Sequence, residues 1–166
     1  MSPAGGPLGA LEGSGLGRAM REWLWLYPSV EVVHIVGIGL LFGSIAVLDF
    51  RLLGFSRSIS ARRLAAHVLP WTAASFLLIL PSGLLMFTAH ASEFVQSGVF
   101  VLKMMLILAA GLNAALFHAI TFRTADIWDS DEMRKLPPPP SARASAAVSL
   151  LLWIAVIACG RLLAYF

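Results

Sequence analysis

The 166-residue chain predicts an all-α integral membrane protein, an up-down bundle of four transmembrane helices. Composition comes first: 58% of residues are hydrophobic and 13% charged, about half the charged share of a soluble domain. Mean hydropathy is +0.82. Second, four apolar runs each reach the length of about 20 residues that crosses a bilayer. Third, the connections are short, which makes successive helices antiparallel neighbours.

Along the chain, residues 1–22 open with "MSPAGGPLGALEGSGLGRAM", rich in Gly and Pro and without the apolar core of a signal peptide, so they read as a flexible tail. The four-helix domain then occupies 23–166. Trp23, Trp25 and Tyr27 stand where interfacial aromatics stand. The spans fall at about 29–49, 68–89, 99–121 and 146–165. The first carries Gly39 and Gly43 at GxxxG spacing, which lets backbones approach in lipid. Pro81 inside the second predicts a kink. The third gathers Ala109, Ala110, Gly111, Ala114 and Ala115 at mid-helix, and the loop after it ends in "PPPP", an extended spacer. The single cysteine, Cys159, excludes an intramolecular disulfide.

Charge sets the orientation. The first and third loops hold Arg51, Arg57, Arg62, Arg63, Arg123, Arg134, Lys135 and Arg143, whereas the second loop, "HASEFVQSG", has no Lys or Arg. The positive-inside rule then puts those two loops in the cytoplasm and both termini outside. A pI of 9.6 therefore says nothing of nucleic acid, because the basic residues flank membrane spans.

Ionisable groups at membrane depth point to function. All four histidines lie in spans or at their ends: His34 and His90 towards the outer face, His67 and His118 towards the cytoplasmic face. That division suits one or two haem b groups, one near each face. Within each pair the depths differ by roughly six residues, about 9 Å, so tilt would have to level them. Met86, Met104 and Met105 lie closer to the level of His34, and methionine is an accepted axial ligand. Gly37 one turn beyond His34, and Gly111, Ala114 and Ala115 before His118, would leave room for a flat ring, although small residues serve helix packing equally well. Lys103 is level with Glu31 and His34, which suggests an ion pair with Glu31 or, with Arg161, a partner for haem propionates. Glu31-x-x-His34 has the spacing used by di-iron bundles, but those need a second such motif and two further carboxylates. No phosphate loop, Ser-His-Asp arrangement or zinc-type spacing is present, and no catalytic residue is assigned.

The run "HIVGIGLLFGSIAVLDFRLLG" from His34, with "LKMMLILAAGLNAALFH" ending at His118, resembles a group of small bacterial haem-type membrane proteins. The group includes CopD-like copper-resistance proteins, HemJ-type protoporphyrinogen oxidases and uncharacterised four-span families. "LPWT" at Leu69–Thr72 and "GRLLAY" at Gly160–Tyr165 are similar to one of the uncharacterised families. The resemblance implies that His34 is a haem ligand, that Lys103 neighbours the site, and that His118 matches a histidine common at the end of the third span. His67 and His90 match no motif of the group. The expectation is a b-type haem protein of the bacterial inner membrane, with His34 and His118 as metal ligands, His67, His90 or Met86 as second ligands, and a quinone or redox protein as partner. The alternatives are a HemJ-like porphyrinogen oxidase, CopD-like copper handling, or a cofactor-free subunit of a larger complex; a homo-oligomer and a subunit of a complex both stay open as assembly states.

Overall fold

The computed structural model describes residues 6–163 and 165, and among them there are helices and no strand. Two short helices, α1 (Pro7–Glu12) and α2 (Gly15–Glu22), precede α3 (Leu26–Leu53) and α4 (Ala61–Ala89). After α5 (Ala91–Gln96) come α6 (Gly98–Leu116), α7 (Ala125–Trp128) and α8 (Pro140–Leu162). Four helices are each long and apolar enough to cross a membrane: α3, α4, α8 and the stretch from Gly98 to Trp128 that begins with α6. These match the four expected spans; all four start earlier than hydropathy alone suggests, and the last also ends earlier, at Leu162.

The ends have local causes. Ser60 and Ser97 cap α4 and α6 by accepting the Arg63 and Phe100 N–H groups. Gly54 ends α3 at φ 110°, a left-handed conformation that costs glycine little. Pro140 occupies the first turn of α8, where its missing N–H would have had no partner anyway. Pro70 and Pro81 both lie within α4, which runs on through them.

The packing is that of two antiparallel hairpins, α3 with α4 and α6 with α8, joined along a seam between α3 and α8. This corrects one expectation. α4 and α6 are consecutive spans but not close-packed neighbours; they meet through the stacked rings of Phe87, Phe94 and Phe100, with centroids 5.5–6.2 Å apart. The elbow made by α5 holds the two helices apart. Small residues set the tight pair: a Cβ on Gly37 would stand 2.8 Å from Ile79 Cγ1 and 3.1 Å from Leu78 Cβ. Where the two basic loops lie, hereafter the basic end, Leu48, Leu52, Ala61, Ala65, Phe117, Ala142 and Ala146 form a buried cluster. Elsewhere large apolar side chains point outward, among them Leu77, Leu108 and Leu151, as a lipid environment would favour.

The N-terminal stretch is also corrected. Residues 7–22, whose composition suggested a flexible tail, form α1 and α2 and dock on the far end of α4, the end that carries both termini. Met20 is buried there, and a Cβ on Gly17 would come within 2.9 Å of the Thr88 carbonyl. Arg21 donates to the carbonyls of Ala89 and Glu12. The Ser92 N–H donates to Glu12, which holds that carboxyl below its usual range.

Candidate functional site

His34 points from α3 into α4. Its Nδ1 lies 2.9 Å from Ser82 Oγ, and its Cε1 lies 3.1 Å from where a Cβ on Gly83 would stand. The Ser82 hydroxyl is itself committed to the carbonyl of Leu78 on the previous turn. Ser82 therefore accepts from His34, the proton sits on Nδ1, and Nε2 keeps its lone pair. Ser82 was not among the expected site residues. Nothing in sequence spacing links it to His34, because the register of α3 on α4 decides the pairing.

Lys103, on α6, is close enough for its charge to act on His34. The expected ion pair with Glu31 is absent: among the described residues Lys103 has no carboxylate partner, and Glu31 is exposed. The Lys103 chain instead lies along α8, its Nζ 3.7 Å from the Cβ position of Gly160 and near Cys159. Gly37 is filled by α4 and does not open a slot beside His34. The reason is that α3 and α4 need that glycine for their own contact. Met86 stands one turn beyond Ser82 on α4 and is half-buried.

His118 sits at the other end of the membrane-length stretch, in a π-helical turn (Phe117–Thr121) that continues α6. Such single-turn insertions are frequent at functional sites. Its Nδ1 lies 2.8 Å from the Ala114 carbonyl, which only accepts, so here too Nε2 is left with the lone pair. Gly111, Ala114 and Ala115 are exposed, and a Cβ on Gly111 would meet nothing within 4 Å. Phe117 and Phe122 flank the His118 ring, each with its centroid 5.3 Å away.

The remaining candidates are engaged separately. His67 is exposed, with Nδ1 3.3 Å from the Arg63 carbonyl. His90 ends α4, with Nδ1 3.2 Å from Glu93 and its ring edge-on to Tyr27. Arg161 donates to Tyr165 Oη at 2.6 Å and lies over that ring. Thus the structure brings together His34, Lys103 and, through Ser82 and Gly83, the Met86 face of α4. His67 and His90, like His34 and His118, each engage an acceptor through Nδ1. Among the described residues no three His, Cys, Asp or Glu side chains converge as a metal cage.

This geometry fits a haem group in part. The donor chemistry fits, because His34 and His118 both keep Nε2 free, and a histidine ligand ordinarily donates its other N–H to a fixed acceptor. The open strip of Gly111, Ala114 and Ala115 beside His118 is compatible with a flat ring. The Gly37 side of His34 is not, since Ile79 and Leu78 occupy it.

A second polar assembly, which spacing did not reveal, lies at the basic end. Asp129, after α7, is buried; it accepts from Ser60 Oγ at 2.5 Å, from the N–H groups of Ala61 and Arg62 at 3.0 and 3.1 Å, and from Arg51 Nη2 at 3.0 Å. Burial alone would raise this carboxyl, but the Ser60, Arg62 and Ala61 donors and the Arg51 charge outweigh it and hold it below the usual value. Asp129 thus completes the cap of α4 and ties the third loop to the first. Nearby on α3, Asp49 is buried beside Ser149 with its Oδ2 unpartnered.

Comparison with known proteins adds no relative: no family model, no curated protein and no solved structure matches the chain.

Proposed function

We propose that this protein is a b-type haem protein of the bacterial inner membrane that carries electrons within or across the bilayer. In this reading both termini lie outside, the basic loops face the cytoplasm, and a quinone or a redox protein exchanges electrons with it. The observation that carries the proposal is the hydrogen bonding of His34 and His118. Each commits Nδ1 to an acceptor and leaves Nε2 for an iron, at opposite ends of the apolar helices. When bound, haem supplies one-electron chemistry. The protein's part is to fix the imidazole tautomers through Ser82 and the Ala114 carbonyl, to exclude water, and to present Lys103 to an anionic group near His34. Met86 is the candidate second ligand on the His34 side, and Gly111, Ala114 and Ala115 give a ring room beside His118.

The test is an absorbance spectrum, oxidised and dithionite-reduced, of full-length protein from haem-replete cells, with metal analysis to separate haem iron from copper. A Soret band that shifts or disappears in His34→Ala or His118→Ala is the expected result. Absence of the band in the wild-type protein sinks the reading.

A second reading, oxidation of a porphyrinogen in the manner of HemJ-type proteins, is favoured by one observation. Lys103 lies within electrostatic reach of His34 and has no carboxylate partner among the described residues, so it is a candidate for moving a proton. Complementation of a strain lacking its protoporphyrinogen oxidase separates this reading from electron carriage.

A further inference from the structure

At the basic end, two arginines are buried with hydrogen-bonding capacity left over. Arg51 is 2% exposed at its side chain; its Nε donates to the Ile59 carbonyl at 2.5 Å and its Nη2 to Asp129, while Nη1 is buried without an acceptor. Arg134 is 11% exposed and pairs through Nη2 with Asp131, and its Nη1 is likewise buried without an acceptor. The two guanidinium groups lie within electrostatic reach of each other, and Arg57 adds a third charge. Buried donors are nearly always paired, and a charged one left unpaired is costly. Each of these guanidinium groups keeps one buried N–H able to donate to an anion.

The surroundings agree. A recess there is lined by Arg57, Ser58, Asp131, Arg134 and Lys135. Arg51 is matched by Asp129 and Arg134 by Asp131, whereas Arg57 and Lys135 have no carboxylate partner among the described residues. Asp131, the one acidic lining residue, is 91% exposed and engages Arg134 through Nη2 alone, which leaves Arg57 and Lys135 as the uncompensated charges of the lining. Arg57 is already oriented by the carbonyls of Gly54 and Lys135.

We propose that this recess, with Arg134 on its wall and the buried Arg51 within electrostatic reach, binds a phosphate-type oxyanion. The guanidinium groups supply planar, charge-assisted donors suited to phosphate oxygens, and Arg57 and Lys135 supply the balancing charge. The oxyanion comes either from the headgroup of an anionic lipid, at the depth where α3 ends and α4 begins, or from free phosphate. The site is separate from the histidines, and its test does not read haem.

Thermal unfolding of the full-length protein in neutral detergent tests the proposal. One arm adds inorganic phosphate against sodium chloride at equal ionic strength. The other adds phosphatidylglycerol against phosphatidylcholine. At about ten times the dissociation constant, the ligand should raise Tm by about 3–6 °C. Arg134→Gln should abolish the rise and Lys135→Gln should reduce it. A rise in both arms identifies a site open to free phosphate; a rise with the lipid alone identifies a headgroup site. No rise in either arm overturns the proposal, as does a rise that persists unchanged in Arg134→Gln. Should Arg134→Gln fail to fold, the exposed Lys135→Gln variant decides: an undiminished rise there also overturns it.

Discussion

The His34 region and the Asp129 clamp handle buried polar chemistry in opposite ways. Asp129 is saturated: four donors converge on one carboxylate, and nothing of it is left for a ligand. His34 is half-satisfied, holding Ser82 with one nitrogen while the other stays free, within electrostatic reach of Lys103, which has no carboxylate partner among the described residues. A saturated group holds a fold together, whereas an unsaturated one waits for something to bind. The difference teaches that two buried polar groups can differ in how much hydrogen-bonding capacity they leave unspent, and the proposed function rests on the His34 side of that difference.

The comparison breaks most sharply at Asp129. Asp129→Asn removes the charge facing the buried Arg51 and should cost about 3–5 kcal/mol, the scale for one partner lost from a buried pair. Unfolding of the purified protein in detergent measures it, and a cost below about 1 kcal/mol would reduce the clamp to an ordinary surface contact. The same residue predicts a pH dependence. Its folded pKa lies below the ordinary 3.8, so its contribution is complete above that value and is lost as pH falls through the folded pKa. Stability of the wild type should decline with acid below about pH 4 more steeply than that of Asp129→Asn.

Gly37→Ala comes next in size. Its Cβ would press on Ile79 and Leu78 at 2.8 and 3.1 Å, with an expected destabilisation of about 1–3 kcal/mol. If Gly37 instead cleared space for a ring, the loss would appear in the haem spectrum with stability unchanged. Ser82→Ala acts on the unsaturated side. It frees the His34 imidazole to rotate or switch tautomer, so haem affinity should fall about 10–100-fold while the fold survives. Titration of haem into the apoprotein reads this, and an unchanged affinity would show that Ser82 does not orient the ligand. Gly160→Ala is the smallest. Its Cβ would sit 3.7 Å from Lys103 Nζ, an ordinary contact, so stability should change by less than about 0.5 kcal/mol.

Hydropathy located the four long helices because length and apolarity are local properties, written residue by residue from Leu26 to Leu162. What depended on register was not legible. Gly37 reads equally well as a cradle or as a packing residue until its neighbour is known, and the neighbour is Ile79. Ser82 is one hydroxyl among several on α4, and only the rotation of α3 against it selects His34. Asp129 is one acidic residue within "DIWDSDE", in a loop whose proline-rich end suggested a plain spacer. Its role needs Ser60 and Arg51, 69 and 78 residues away in the chain. The N-terminal helices were hidden by glycine content, since Gly17 is there for contact with the Thr88 carbonyl and not for freedom.

The clamp also carries a consequence for how the molecule is made. Arg51, Ser60 and Ala61 belong to the first hairpin, and Asp129 belongs to the second. During synthesis α3 and α4 are complete while the second hairpin is still absent, so the first pair must stand for a time with the α4 cap unfinished and Arg51 uncompensated. The acidic loop that follows the third span is what closes the assembly, and it arrives before α8 does. Asp129 is therefore a late latch, one that closes on the first hairpin before the second has its last helix.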